Sequence, residues 1–327
     1  MSELKPAVYQ TPHDVSIEQF ATDVQYYLAL QPRQLPSRYF YDALGSALFD
    51  AICHLPWYRI TRAETRLLAA HAREIFDRGV DTIVELGGGN GEKLMTLVQS
   101  GRRAPVRPLD LRLFDVSASA LAWSARALSV LDAVNIVTYE ASYETGLAAA
   151  RAASEASSRT LALFLGSNIG NFDPPGAAAF LRGIRGALRS GDTLLVGADL
   201  VKPEADLLLA YDDPLGVTAA FNRNLLVRIN RELQGNFDVN AFAHRALWNA
   251  HASRVEMHLV SRGRQHVRVP AAQLEFDIED GESIWTESSY KYDPQGLRQM
   301  VERAGFRTLH QWIDGDDAFA LTLVAAV

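Results

Sequence analysis

The stretch that decides the fold is Asp81-Thr82-Ile83-Val84-Glu85-Leu86-Gly87-Gly88-Gly89-Asn90-Gly91-Glu92-Lys93. Its apolar β-formers lead into an acidic residue and then a run of glycines, after which a helical pattern begins at Glu92. Glycines let the backbone turn sharply and approach a ligand closely, because they have no Cβ to clash. The stretch therefore predicts a strand, a tight turn and a helix, the first unit of a doubly wound α/β sheet.

The spacing of the glycines indicates which ligand suits this turn. A dinucleotide site needs glycines in the spacing G-x-G-x-x-G, but counting from Gly87 the third glycine position holds Glu92, a carboxylate. The pattern Glu85-x-Gly87-x-Gly89 instead resembles the first motif of class I S-adenosylmethionine methyltransferases. That cofactor carries an amino acid and a sulfonium and no phosphate, so acidic neighbours are tolerable. Taken alone, the glycines are also compatible with a tight turn that binds nothing.

The composition is that of a soluble globular protein. The 327 residues, 48% hydrophobic and 22% charged, are enough for one large α/β domain with an insertion or for two domains. The formal net charge of −7 gives no general attraction for nucleic acid or anionic membranes. The single cysteine excludes an intramolecular disulfide and thiolate metal clusters. With no signal-peptide core and no apolar run near the roughly 20 residues of a membrane span, we expect a cytoplasmic protein. We also expect it to be a monomer.

An alternation of strands and helices follows the glycine turn. The strands predicted after it are 106–116, 135–140, 160–165, 191–200, 306–313 and 318–327. The alternation is interrupted between 201 and 291. Within that interval, 254–260 and 265–269 alternate in polarity across a turn containing Gly263 and predict a β-hairpin.

This interruption sets the predicted domain organisation. The segments are 1–61 as an N-terminal helical segment packed on the sheet domain, 62–200 as its core, 201–291 as an inserted α+β domain, and 292–327 as the helix and strands that complete the sheet. Residues 1–15 are predicted to form a loose arm, with Ser16 capping the first helix. A surface helix is predicted over 147–158.

Polar residues at strand ends are candidates for ligand binding. Asn171 follows the predicted strand 160–165, and the carboxyl ends of strands in an open α/β sheet face the ligand crevice. A turn or helix-capping role is the alternative for Asn171. Glu287 and Ser289 are two positions apart on a predicted strand, so they point to one face and suit a planar polar group. An exposed strand face is the alternative for this pair.

The histidines do not predict a metal site. His244, His251 and His258 are spaced seven apart. On a helix that spacing separates neighbours by about 10 Å, which is too far for shared ligation. We therefore predict no bound metal.

Five stretches together resemble the histidine-specific S-adenosylmethionine methyltransferases. They are Leu35-Pro36-x-x-x-Phe40-Tyr41-Asp42-x-x-Gly45-Ser46-x-Leu48-Phe49-Asp50, Val84-Glu85-Leu86-Gly87-x-Gly89-x-x-Glu92-Lys93, Phe164-Leu165-Gly166-Ser167-x-Ile169-Gly170-Asn171, Tyr211-Asp212-Asp213-x-x-Gly216-Val217-Thr218-Ala219-Ala220-Phe221-Asn222-Arg223-Asn224, and Thr286-Glu287-x-Ser289. The resemblance extends from about residue 16 to residue 327. The block beginning at Tyr211 is the longest and most specific of the five.

The resemblance implies both fold and activity. The implied fold is a class I methyltransferase, a Rossmann-like doubly wound sheet with an inserted α+β substrate-binding domain. The implied activity is transfer of methyl groups from S-adenosyl-L-methionine to the α-nitrogen of free L-histidine, in three steps that give hercynine for ergothioneine biosynthesis. The alternatives are a family member acting on another amino acid, such as an indole-bearing one, and a nicotinamide-dependent dehydrogenase.

The resemblance also implies roles for individual residues. The implied cofactor-binding residues are Gly87, Lys93, Asp115, Ser142 and Tyr143, and Ser142 stands where an acidic residue is expected near the adenine. The implied substrate-binding residues are Tyr58, Gly166, Asn171, Tyr211, Met257, Glu287, Ser288 and Ser289. Of these, Tyr58 is the implied catalytic residue, placed beside the α-amino group. Glu287 and Ser289 would grip the imidazole.

Overall fold

A computed structural model describes residues 7–10, 16–102, 108–143, 145–146 and 158–327. The chain divides into two compact units. The first, here called the sheet unit, lies within 1–13, 59–201 and 291–327, and the second unit lies within 14–58 and 202–290. No helix within the described ranges is long and apolar enough to cross a bilayer.

The helices and strands alternate through most of the chain. In chain order they are β1 (Ala7–Gln10), α1 (Ile17–Leu28), β2 (Arg33–Gln34), α2 (Ala43–His54), α3 (Ile60–Phe76), β3 (Thr82–Leu86), α4 (Glu92–Gly101), β4 (Leu109–Asp115), α5 (Ala118–Leu128), β5 (Val134–Glu140), β6 (Thr160–Phe164), α6 (Pro174–Ala187), β7 (Thr193–Asp199), α7 (Glu204–Tyr211), α8 (Val217–Leu233), β8 (Phe242–Asn249), β9 (Arg254–Ser261), β10 (Gln265–Val269), β11 (Leu274–Ile278), β12 (Ser283–Tyr290), α9 (Pro294–Arg303), β13 (Phe306–Asp314) and β14 (Phe319–Ala326).

The sheet unit is built on an eight-stranded sheet in the order β1-β5-β4-β3-β6-β7-β14-β13. The strands from β1 to β7 pair in parallel, and β14 pairs antiparallel with both β7 and β13. Strand order reverses between β3 and β6, which is where open α/β sheets bind ligands. The terminal hairpin β13–β14 confirms the predicted closing strands. This is the predicted class I methyltransferase fold, a doubly wound Rossmann-like sheet.

Burial explains why the central strands read as apolar runs. Every residue of β3, β6 and β7 is buried, as expected for parallel strands covered on both faces. Phe180 of α6 and Leu297 of α9 pack with strand residues such as Val84 and Phe164 in one hydrophobic core. The two helices therefore cover the sheet beside the point where its strand order reverses.

The predicted N-terminal arm needs correction. Residues 7–10 form β1, which pairs in parallel with β5 from Val137 to Glu140 and lengthens the sheet by one edge strand. A strand of only four residues is too short to show a periodic pattern, and main-chain hydrogen bonds can hold it at the sheet edge. The remainder of 1–15 lies outside the described residues, as do positions 147–157 of the predicted surface helix.

The second unit contains a four-stranded sheet in the order β2-β12-β9-β8 and a separate two-stranded sheet, β10-β11. The predicted hairpin between 254–260 and 265–269 is therefore wrong. Both edges of β9 are occupied, by β8 and β12, so β10 turns away and pairs with β11. Alternating polarity identified both strands, but it carries no information about which strand is the partner. Helices α7 and α8 lie against β8 and β9.

Most of the predicted N-terminal segment, 1–61, groups with the inserted domain instead of standing as a segment of its own. Residues 14–58 belong to the second unit. There β2 pairs with Ile284 and Trp285 of β12, and the Asn224 amide of α8 donates to Asp42 Oδ1 at 2.7 Å. Arg228 Nη1 also donates to the Tyr39 carbonyl at 2.9 Å. These long-range contacts join the N-terminal helices to the inserted segment.

Candidate active site

The glycine turn after β3 is closely packed at Gly87 and open at Gly89. Gly87, Gly89 and Gly91 all have positive φ, from +61° to +80°, a region that favours glycine. A Cβ on Gly87 would lie 2.7 Å from the Tyr143 hydroxyl oxygen, whereas a Cβ on Gly89 would meet nothing within 4 Å. The structure thus brings Tyr143 against Gly87, two of the residues that the sequence suggested for the cofactor, and leaves space beside Gly89.

Two carboxyl groups lie at the ends of adjacent strands. Burial raises the pKa of Glu85 to about 7, against the opposing effect of Lys93, and Glu85 Oε2 is buried without a hydrogen-bond partner. Burial also raises the pKa of Asp115 to about 6, although backbone N–H groups, including that of Ser117 at 2.9 Å, oppose the shift. Both groups are suited to a ligand that brings positive charge or hydroxyl donors.

A buried ion pair fixes the lysine of the turn. Lys93 Nζ lies 2.7 Å from Glu64 Oε2, and both Glu64 oxygens accept from the Gly166 backbone N–H at 2.9 Å. Glu64 is fully buried. The sequence reasoning missed Glu64, although a signal was present. It lies three and four residues before Leu67 and Leu68, and so on the apolar face of α3.

These residues fit S-adenosylmethionine better than a dinucleotide. An unsatisfied buried carboxylate oxygen at Glu85 can accept a hydrogen bond from a cationic amino group. Asp115, at the end of β4, is placed as an acceptor for ribose hydroxyls. The lysine of the turn, Lys93, is paired with the buried carboxylate of Glu64, which partly offsets its positive charge.

The turn after β6 carries two asparagines. Asn171 ends a short 3-10 turn, and Asp173, not Asn171, caps α6 by accepting from Gly176 N at 2.8 Å. Helix capping is thus excluded as the reason for Asn171. The Asn168 amide nitrogen lies 3.2 Å from where a Cβ on Gly87 would be, which places Asn168 beside the glycine turn. The sequence reasoning left Asn168 unassigned.

Ser142 stands where an acidic residue is expected, and its side chain is a neutral hydroxyl. Its hydroxyl lies 3.4 Å from Thr145 Oγ1 and 3.4 Å from Thr145 N. It follows β5, at the same edge of the sheet as Gly87 and Asp115. A neutral hydroxyl at this position can accept or donate one hydrogen bond but adds no charge.

In the second unit, several substrate candidates are joined directly. The Tyr211 hydroxyl donates to Ser289 Oγ at 2.8 Å, and both residues are buried. The Tyr58 ring meets the Tyr211 ring edge-on, with centroids 6.4 Å apart. The structure therefore brings together three of the residues that the sequence suggested for the substrate.

A β-bulge decides which side chains of β12 face the helices. Trp285 pairs with His258 and Glu287 pairs with Met257, so Thr286 is an extra residue between them. Directly paired residues share a face, and Met257 is buried. Glu287 and Ser289 therefore lie on the helix-covered face, as their spacing predicted.

Ser288 lies on the other face of the same sheet. It pairs with Glu256, which accepts from Arg254 on that side. The bulge itself is held by two hydrogen bonds, from Thr286 Oγ1 to the Met257 carbonyl at 3.0 Å and from Trp285 Nε1 to the Glu287 carbonyl at 2.8 Å. The Ser288 side chain is not brought together with those of Glu287 and Ser289.

A cluster of aromatic rings surrounds Tyr58. Phe49 contacts both Tyr58, at 6.3 Å between centroids, and Tyr41, at 5.6 Å. Phe221 of α8 packs against Phe49 at 5.9 Å and Tyr41 at 5.8 Å. Ring faces attract cations, so this cluster is a suitable environment for a methylated ammonium group.

Comparisons with known proteins agree with this geometry. A family model described as histidine-specific methyltransferase, SAM-dependent, matches residues 20–326. The chain is 44% identical over 306 residues to the histidine N-alpha-methyltransferase of Mycobacterium tuberculosis, covering 93% of this chain and 94% of that protein. It is 41% identical to the protein of the same name in Mycolicibacterium smegmatis, covering 95% and 96%. A more distant relative, ergothioneine biosynthesis protein 1 of Schizosaccharomyces pombe, is 28% identical, and the match covers 38% of its length.

Proposed function

Because this chain belongs to the family of histidine-specific, S-adenosylmethionine-dependent methyltransferases, we propose that it methylates the α-nitrogen of free L-histidine. The observation that carries the proposal is the similarity to two histidine N-alpha-methyltransferases, at 44% and 41% identity over more than nine-tenths of each chain. The pairing of Glu287 with Met257 on the helix-covered face supports it, because a carboxylate there suits an imidazole.

We assign binding of the methyl donor to the sheet unit. S-adenosylmethionine supplies an electrophilic methyl group on its sulfonium. Gly87 lets the backbone approach the donor, Lys93 binds its carboxylate end, and Asp115 accepts from its ribose hydroxyls. Ser142 and Tyr143 lie beside the adenine. Glu85 Oε2 supports this assignment, because it is buried without a hydrogen-bond partner and can accept a bond from a bound ligand.

The second unit is assigned most of the amino-acid substrate. Tyr211 is assigned the substrate carboxylate, to which its hydroxyl donates after turning from Ser289. The family resemblance assigns Asn171 and Gly166 to the same carboxylate. Glu287 and Ser289 hold the two imidazole nitrogens, and Met257 forms a wall of the imidazole site. Ser288 faces away from them, so we restrict its role to main-chain contacts.

We assign Tyr58 the role of orienting the attacking amine and helping its proton to leave. An α-amino group has a pKa of roughly 8, so much of it is protonated and unreactive at neutral pH. The Tyr58 hydroxyl orients the nitrogen lone pair and accepts a hydrogen bond from the departing N–H. Before each attack the ammonium loses one proton to solvent, and a nitrogen–carbon bond then forms as the sulfur–methyl bond breaks. After three transfers all three N–H protons have left, and the nitrogen is a quaternary cation. Tyr41, Phe49 and Tyr58 stabilise that cation.

We further propose three successive transfers, giving hercynine for ergothioneine biosynthesis, by a cytoplasmic monomer. The names of two relatives, both ergothioneine biosynthesis protein 1, support the pathway. Light scattering of the purified protein tests the monomer.

Mass spectrometry of reactions with a panel of free amino acids tests the activity. Histidine should gain one, two and then three methyl masses, and the mono- and dimethyl forms should themselves be substrates. Tryptophan serves as the matched aromatic control and should gain none. Methylation of an indole-bearing amino acid in preference to histidine would reject the proposal in favour of a related specificity. Absence of any transfer despite cofactor binding would indicate a binding protein.

A further inference from the structure

His244 of β8 has a buried side chain that contacts a proposed substrate-binding residue. Its side chain is 1% exposed. Its Nε2 lies 2.8 Å from the Tyr211 carbonyl oxygen, and its Nδ1 lies 2.9 Å from the Asn222 amide nitrogen. The metal hypothesis gave this histidine no role, and the proposed function does not use it.

The hydrogen bonds assign one protonation state to the ring. The Asn222 amide nitrogen also donates to the His258 carbonyl at 3.2 Å, which fixes its orientation, so Nδ1 must accept. A carbonyl oxygen can only accept, so Nε2 carries the proton and donates to Tyr211. Burial lowers the pKa of His244, in agreement with a neutral ring.

The charged groups that act on the ring are Asp212, Asp213 and Arg223. Asp212 Oδ1 is 3.9 Å from His244 Nε2, and its side chain is about half exposed to water. Asp213 also favours the charged ring, whereas Arg223 opposes it. The Asp213 carboxylate already accepts from the backbone N–H groups of Leu215, Val217 and Thr218.

The hydrogen bond from His244 Nε2 is accepted by the Tyr211 carbonyl, which has no hydrogen-bond donor within its own helix. Tyr211 is the last residue of α7, and the final carbonyls of a helix have no partner within it. His244 supplies that partner at the main chain, while the Tyr211 hydroxyl donates to Ser289. Tyr211 is therefore held at both ends.

We propose that His244, oriented by Asn222, is a positioning residue that fixes Tyr211 for binding the carboxylate of the amino-acid substrate. The inference rests on the proposed function for the identity of that substrate. It assigns His244 no contact with the substrate, the cofactor or the reacting atoms.

A pair of amide variants tests this role. In His244→Gln the amide nitrogen reaches the position of Nε2 and can donate to Tyr211, whereas in His244→Asn it reaches only the position of Nδ1. His244→Asn should raise KM for histidine about tenfold, the effect of losing one buried hydrogen bond. His244→Gln should stay within about threefold of the parent, and neither variant should change the Kd for S-adenosylmethionine. Equal KM values in both variants, or a rise in the Kd for S-adenosylmethionine matching the rise in KM, would overturn the inference.

Nitrogen-15 NMR of protein labelled at the histidine rings provides a test independent of turnover. The resonances lost in His244→Gln belong to His244, and they should report a neutral ring with the proton on Nε2. A proton on Nδ1, or a charged ring at pH 7.5, contradicts the inference even where histidine is methylated. Wild-type protein that fails to methylate histidine rejects the proposed function instead, and the NMR result still decides the state of His244.

Discussion

The two units carry their candidate residues in different ways. In the sheet unit, Gly87, Asp115 and Ser142 each lie at or within two residues of the carboxyl end of a parallel strand. In the second unit, Tyr58 and Tyr211 follow or end helices, while Met257 and Glu287 meet across a strand pair. The first arrangement is set by local chain order and the second by long-range pairing.

This contrast implies that the two binding functions are separable. The contacts that hold Lys93 and the glycine turn are within the sheet unit, and those that hold Tyr211 and Glu287 are within the second unit. Variants of Glu287 should therefore change histidine binding while sparing the cofactor, and variants of the contact that holds Lys93 should do the reverse. Asn171 and Gly166 are the exceptions, because they belong to the sheet unit and are assigned to the substrate. The following predictions test this separation.

Loss of the carboxylate at Glu287 should have the largest effect. Glu287→Ala should weaken histidine binding about 50-fold, because a charge-assisted hydrogen bond to the imidazole is lost. Binding of S-adenosylmethionine should be unchanged. Isothermal titration calorimetry with each ligand measures both affinities.

Ser288→Ala is the matched control for that variant, because Ser288 is adjacent in sequence but lies on the opposite face. It should bind histidine within about twofold of the parent protein, as expected for a substitution away from the site. Equal losses in the two variants would contradict the assignment of faces.

Removing the Tyr58 hydroxyl should affect the reaction more than binding. Tyr58→Phe keeps the ring contacts with Phe49 and Tyr211 but removes the hydrogen bond to the amine, so kcat should fall about 20-fold. KM for histidine should change little. Steady-state kinetics at saturating cofactor separate the two constants, and a change confined to KM would contradict the catalytic role.

A change at Glu64 should affect the other ligand. Glu64→Gln leaves the Lys93 ammonium without its buried counter-charge, so cofactor affinity should fall about tenfold. Glu74→Gln on the same helix, where the side chain is half exposed, is the control and should have no effect. Should the Glu64 variant instead impair only histidine binding, the units are not separable as proposed.

The smallest expected effect is a pH dependence of cofactor binding. With its pKa raised to about 7, Glu85 is mostly charged above pH 7 and mostly neutral below it. A cationic ligand prefers the charged form, so affinity for S-adenosylmethionine should fall a few-fold, roughly, as pH decreases from 8 to 6. Glu85→Gln should flatten this profile when titrated by calorimetry.

Stability of the free protein should show the opposite dependence. A carboxyl whose pKa is higher in the folded state binds its proton more tightly there, so the contribution of Glu85 to the free energy of unfolding rises as pH falls from about 7 towards its unfolded value of about 4.5. At pH 8 the ligand-free Glu85→Gln variant should therefore have a Tm equal to or above that of the parent. A lower Tm would show that the Glu85 charge is satisfied without a ligand.

Much of the sheet unit could be predicted from its sequence, because local signals coincide there with the site. The apolar run of β3 and the glycines that follow it specify a strand, a tight turn and a candidate ligand-binding position within a few residues. The spacing of Glu287 and Ser289 likewise sufficed to place both on one face.

What could not be predicted depends on partners distant in the chain. Alternation in β9 and β10 did not reveal that each pairs with a different strand, and nothing local in β2 identifies β12 as its neighbour. The roles of Glu64 and His244 arise only from residues that folding brings to them. A single sequence records residue types and spacing, but it does not record these contacts.

The extra residue at Thr286 has a consequence for engineering substrate choice. If β12 continued in strict alternation from Ile284, which faces the helices with Leu259, then Ser288 would replace Glu287 and Ser289 on that face. A one-residue slip would thus exchange an acidic lining for a neutral one with no change in amino-acid content. The hydrogen bonds of Trp285 and Thr286 hold the bulge, so libraries directed at these two positions would change the register of β12 and with it the substrate selectivity. Randomising only the pocket-lining positions leaves that register unchanged.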